Sequence, residues 1–173
     1  MQPLVTKPFY EYVDFAEHLQ PLKDNWKVIR DEGLSIIDTM PKITDGRSND
    51  WYWSPLKPED EDVIVSDTTG QYATKNKGIA TQTIKLCESI ANVEAYAFSL
   101  LKVGGHIKPH THDNSFVTCM LGLQVEDTSY IIADGERRDF KEGEFVIFDY
   151  RTLHEVYNKS PSDRLLLLVL IPI

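Results

Sequence analysis

The sequence predicts a mainly β domain with packing helices, built as a double-sheet jelly roll. Three observations lead there. From Glu94 onward the apolar period is two, with Tyr96, Phe98 and Leu100 alternating with smaller residues. The strand-like runs that follow are short and are separated by the turn formers Gly104-Gly105, Asp134-Gly135 and Lys141-Glu142-Gly143. Upstream, apolar residues recur three and four apart, the period of helices laid against a sheet.

Taken in order, residues 11–39 carry Phe15, Leu19, Leu22, Trp26, Ile29, Ile36 and Ile37, which predicts an amphipathic helix broken near Gly33. Residues 41–78 are polar and rich in turn formers, among them Asp45-Gly46, Pro55, Pro58 and Thr69-Gly70, and read as loops with short strands. The acidic stretch Glu59 to Asp62 reads as a solvated surface. Residues 79–92, with Ile79, Thr83, Ile84, Cys87 and Ile90, predict a second helix. Further strands are expected over 115–125, 128–133, 144–149, 154–158 and 164–171. Asp134-Gly135 has the composition of a tight hairpin turn. The expected organisation is one domain over 1–173, with a helical and loop part over 1–92 and a β core over 93–173.

Composition narrows the function classes. A formal net charge of -9 without a basic block argues against a nucleic-acid surface. The two cysteines, Cys87 and Cys119, form neither a CxxC pair nor a disulfide framework, which fits a reducing compartment. The N-terminal residues lack the apolar centre of a signal peptide, so a cytoplasmic location is expected. The apolar run Leu165 to Ile173 is too short for a membrane span and reads as a buried strand.

The residues that carry chemistry are histidines and one arginine. His110 and His112 are two apart, so on a strand both would face the same side and meet one ion. His154 follows a strand and turn, the usual place for the distal ligand of a jelly-roll metal site. His18 and His106 read as structural or exposed. Arg164 opens an almost wholly apolar run, where a cation needs a fixed anion. It pairs either with Asp163 or Glu155 at a strand edge, or with a bound carboxylate. Asp149 and Glu155 read as turn formers or as partners that orient His154. Trp51-Tyr52-Trp53 is an aromatic cluster in a loop stretch. It either packs into the core or lines the site mouth, with Trp51 and Trp53 as substrate contacts.

Several segments then fall in a familiar order: Asn25 to Gly33, Pro109-His110-Thr111, Leu121-Gly122-Leu123, Glu142-Gly143 through Phe148-Asp149, His154-Glu155-Val156-Tyr157-Asn158 and Arg164-Leu165. Together they resemble the aspartyl/asparaginyl β-hydroxylase family, the segment from His154 to Arg164 most specifically. The resemblance implies a double-stranded β-helix, a cupin-like barrel that uses Fe(II), 2-oxoglutarate as cosubstrate and O2 to hydroxylate a small-molecule or peptide substrate. By the same resemblance His110 and His154 match the two iron ligands, Arg164 matches the cosubstrate-binding arginine, and Ser99 falls where the family has a serine near the cosubstrate.

Two departures stand out. Where the family has a glycine, this chain has His112, which is either a third ligand on a three-histidine face or a ring pointing away from the metal. Where the family has a second cosubstrate arginine, this chain has Thr118, with Met120 in place of a nearby histidine. Two rivals remain at this stage. One is a cupin metal dioxygenase or isomerase that does not use 2-oxoglutarate, and the other is a ligand-binding barrel without turnover.

Overall fold

The protein is described by a computed structural model over residues 7–57, 76–113 and 115–173. Ten strands and three α-helices are assigned among these residues. The strands are β1 (Phe9–Tyr10), β2 (Trp51–Lys57), β3 (Ala95–Leu101), β4 (His106–His110) and β5 (Phe116–Gln124), then β6 (Ser129–Ala133), β7 (Glu136–Asp139), β8 (Phe145–Asp149), β9 (His154–Asn158) and β10 (Arg164–Pro172). The helices are α1 (Ala16–Asp24), α2 (Trp26–Ser35) and α3 (Thr81–Glu88). Two antiparallel sheets face each other: a six-stranded one in the order β1-β8-β5-β10-β3-β2 and a four-stranded one in the order β4-β9-β6-β7.

The period-two pattern explains the layering. On β10, Leu165, Leu167 and Val169 point away from the barrel and join Leu19, Leu22, Ile29 and Ile36 of the helical layer in one buried cluster. The alternate residue Leu166 points inward, into a second cluster with Met120, Phe148, Ile107, Ile131 and Val156 between the sheets. A strand apolar on both faces is the signature of a sheet covered on both sides, and the run from Leu165 is of that kind.

The helical front is more divided than its periodicity suggests. The break falls at Asn25, whose Nδ2 donates to Pro21 O at 2.7 Å, and not at Gly33. Gly33 lies inside α2, where a Cβ would sit 2.9 Å from Phe98 Cε1 and 3.1 Å from Leu165 Cδ2. Its role is close approach of helix to sheet. A second correction concerns Trp51-Tyr52-Trp53, which lies in β2 rather than in a loop. Strands β1 and β7 are additions. The residues of β7, Glu-Arg-Arg-Asp, carry no apolar signal and form a strand because the Asp134-Gly135 turn folds them back on β6. That turn has positive φ at both residues, 48° and 79°, as a type I′ hairpin requires. Glu59 to Asp62 and Thr69-Gly70 lie outside the described residues. Cys87 and Cys119 are free and buried. Among the described residues no helix is long and apolar enough to cross a membrane.

Candidate metal centre

Register brings the histidines together. His110 ends β4, His154 opens β9, and the two are direct partners across the ladder. His112 lies two residues past the end of β4 and so reaches the cluster from outside the strand. Ring centroids are 4.2 Å apart for His110 and His154, 5.0 Å for His110 and His112, and 5.6 Å for His112 and His154. One ligand nitrogen from each lies within 4.8 Å of the other two, so the trio can hold a metal ion. His112 is also stacked on Tyr150, with centroids 3.7 Å apart and planes 2° from parallel. Asp113 beside it is exposed.

The tautomers of the two strand histidines follow from their partners. His110 Nδ1 is 2.7 Å from Lys108 O, and His154 Nδ1 is 2.6 Å from Thr152 O. A carbonyl oxygen only accepts, so each Nδ1 carries the proton and each Nε2 keeps its lone pair. The turn before His154 is fixed by buried Asp149. Its carboxylate accepts from Arg151 N and Nε at 3.0 Å each and from Arg151 Nη2 at 2.8 Å, while Thr152 N donates to Asp149 O. Glu155 sits on the opposite face of β9, held by the His106 ring and the Tyr157 hydroxyl at 3.0 Å each. It therefore does not orient His154.

Burial lowers the pKa of both strand histidines, His110 to about 4 and His154 to about 3, because the charged ring loses water; the neighbouring imidazoles and Arg47 add to the effect. Neutral imidazole is the ligand form, so the site is ready for a cation at neutral pH. A stability consequence follows. Below the ordinary value of 6.5 the unfolded chain takes up protons that the folded chain refuses, so the metal-free protein loses stability as pH falls from 6.5 toward 4. The slope contributed by His154 is at most about 1.4 kcal/mol per pH unit. Melting curves of metal-free protein across this window are expected to show it, with a shallower slope in His154→Asn. Identical slopes in parent and variant would contradict it.

Farther along the barrel lies a buried cation. Arg164 is 2% exposed, its Nη2 donates to Ser99 Oγ at 3.0 Å, its guanidinium carbon stands 5.2 Å from the Phe140 ring centre, and its Nε has no partner. Neither Asp163 nor Glu155 serves it. Asp163 is engaged with Lys102 Nζ and Val103 N. Burial pushes the guanidinium down from its ordinary value, to about 9. Trp51 Nε1 donates to the same Ser99 Oγ at 2.9 Å, and Trp53 packs edge-on to Trp51 at 5.7 Å. Thr118 faces the interior with its Oγ1 unpartnered, but it is not beside Arg164. It pairs with Leu170, six residues along β10 from Arg164, about 20 Å at the strand rise. Its other neighbour is Phe148, whose ring lies 4.6 Å from that of His154, so Thr118 belongs to the metal half.

Sequence reasoning missed three residues here: Tyr150, Arg47 and Trp51 as the partner of Ser99. Arg47 stands 5.0 Å over the Trp51 ring and is paired with Asp45 at 2.6 Å. Tyr150 and Trp51 act through long-range pairing, which leaves no local signature.

The family model described as Aspartyl/Asparaginyl beta-hydroxylase matches residues 23–172. The chain belongs to the aspartyl/asparaginyl β-hydroxylase family. The matched span contains both strand histidines, His112 and Arg164. Two curated β-hydroxylase relatives are the aspartyl/asparaginyl beta-hydroxylases of Mus musculus, 29% identical, and Homo sapiens, 27% identical, each over 170 residues and 90% of this chain. The chain spans 21% of the length of each. Among solved structures it is similar to a cupin-2 domain from Rhodospirillum rubrum, with a TM-score of 0.48 and 8% identity over 76% of this chain and 66% of that one. It is also similar to the cupin-2 domain of a transcriptional regulator from Enterobacter cloacae, with a TM-score of 0.46 and 15% identity over 71% of this chain and 97% of that one.

Proposed function

We propose that this β-hydroxylase family member is an Fe(II)- and 2-oxoglutarate-dependent hydroxylase acting on a side chain or small molecule. The single observation that carries the reading is Arg164: a buried guanidinium with no carboxylate partner among the described residues, inside a barrel that also holds three converging imidazoles. Burying a cation unpaired is costly, and a bound carboxylate offsets that cost. The donor set fits the metal, since neutral imidazole suits iron among other first-row ions. Fe(II), when bound, supplies oxygen activation coupled to decarboxylation of 2-oxoglutarate.

The chain's own residues do the rest. His110 and His154 present Nε2 lone pairs, fixed by carbonyls at their other nitrogens. Arg164 and Ser99 hold the far carboxylate of the cosubstrate. Met120, Phe148 and Leu166 line the interior and exclude water. A cupin enzyme that does not use 2-oxoglutarate would leave Arg164 without an anion. Succinate formed from 2-oxoglutarate by the Fe(II)-loaded protein in air, and absent without oxygen or in His154→Ala, is the expected result. No succinate from the loaded protein, with or without candidate peptides, would contradict the reading.

His112 supplies a further test. As a third ligand it tightens the metal without being indispensable, because water or cosubstrate can fill the vacated position. His112→Gly is therefore expected to weaken Fe(II) binding by about 10–100-fold while retaining one ion at saturation. Metal titration with a competing chelator reads this directly. Affinity equal to the parent's would place His112 outside the ligand set.

A further inference from the structure

Ser99 is the meeting point of two donors that have no choice of role. Trp51 Nε1 lies 2.9 Å and Arg164 Nη2 lies 3.0 Å from its Oγ. An indole N–H and a guanidinium only donate, whereas a hydroxyl has two lone pairs and one proton. Both lone pairs of Ser99 are thus taken, and its O–H is left as a donor. Ser99 is 2% exposed, and no acceptor for that proton stands among the described residues. Arg164 Nε is a second buried donor without a partner in the same neighbourhood. Two unused donors and one positive charge together ask for an oxyanion.

The sheet register makes this arrangement. Trp51 and Arg164 are both partners of Leu101, one from each side of β3, so their side chains flank that strand and reach Ser99 two residues along. Trp51 is itself held by Arg47 above its ring and Trp53 at its edge, and it is 6% exposed.

We propose that Trp51 is a positioning residue of the anion pocket: its indole N–H occupies one lone pair of Ser99, so that the Ser99 O–H is committed to the carboxylate that Arg164 attracts. This assigns Trp51 a place inside the barrel rather than at a substrate mouth, and it rests on the reading of Arg164 as the cosubstrate anchor. Without the indole, Ser99 keeps a free lone pair and its proton is no longer directed.

The test is calorimetric titration of metal-free protein with 2-oxoglutarate and with glutarate, which has the same two carboxylates and no keto group. Trp51→Phe, which keeps an aromatic ring and loses the N–H, is expected to weaken both by about three- to tenfold. In the Ser99→Ala background the same change is expected to have no further effect, because the hydroxyl it directs is gone. Fe(II) stoichiometry should stay as in the parent. Should Trp51→Phe fold poorly, benzothienylalanine at position 51, with sulfur in place of the N–H, keeps the indole shape and makes the same prediction. Parent-like affinity in the N–H-less variants, or additive losses in the double variant, overturns the positioning role alone. A parent that binds neither dicarboxylate, with or without Fe(II), overturns the cosubstrate reading on which it rests.

Discussion

Replacing Arg164 by methionine is expected to abolish measurable 2-oxoglutarate binding while leaving Fe(II) binding intact. The guanidinium is buried, one of its nitrogens already bonds Ser99, and its Nε waits unpartnered. A carboxylate there gains a charge-assisted, planar contact that lysine cannot copy. Removing one side of such a desolvated pair costs about 2–5 kcal/mol, a loss of roughly thirtyfold or more. Little backup exists, since Thr118 stands in the metal half of the barrel and carries no charge. The fold should not suffer, because methionine suits the apolar surroundings and the parent buries an unpaired cation. Titration of the variant with 2-oxoglutarate, beside iron analysis of the same sample, reads both halves. Parent-like 2-oxoglutarate affinity would favour the cupin alternative.

His154→Ala is expected to have the second large effect, loss of Fe(II) binding by about two orders of magnitude or more. His154 is the most buried of the three imidazoles, and its Nδ1 is tied to the turn that Asp149 and Arg151 fix. Among the other polar residues of β9, Glu155 and Tyr157 face the other side and bond each other, and Asn158 is held by Leu101 O and Ser162 O. Iron content after anaerobic loading and desalting is the measurement. A variant that retains parent stoichiometry would remove His154 from the ligand set.

Much of the barrel was legible in the sequence because its strands are amphipathic or wholly apolar, and both patterns mark burial. The Leu165 to Ile173 run announced a buried strand, and Asp134-Gly135 announced its turn chemistry. What stayed hidden had no local pattern. Strand β7 is charged along its whole length and exists through its hairpin partner. Gly33 looked like a helix break because glycine has low helix propensity, yet it serves contact with Phe98. In the site, His110 and His154 were readable from strand position. The pairing of Trp51 with Ser99 was not, since it depends on two strands flanking β3 in a particular register.

The central claim is that one barrel holds a metal at its histidines and a dicarboxylate anchored at Arg164, so that each affects the other. Reciprocal titration tests it most directly: 2-oxoglutarate affinity with and without Fe(II) under anaerobic conditions, and Fe(II) affinity with and without 2-oxoglutarate. A ligand spanning both groups must tighten each partner by the same factor. The expected result is tighter binding in both directions, equal within error, and lost in Arg164→Met. Independent binding of the two, or no 2-oxoglutarate binding to the iron-loaded parent, would contradict the account.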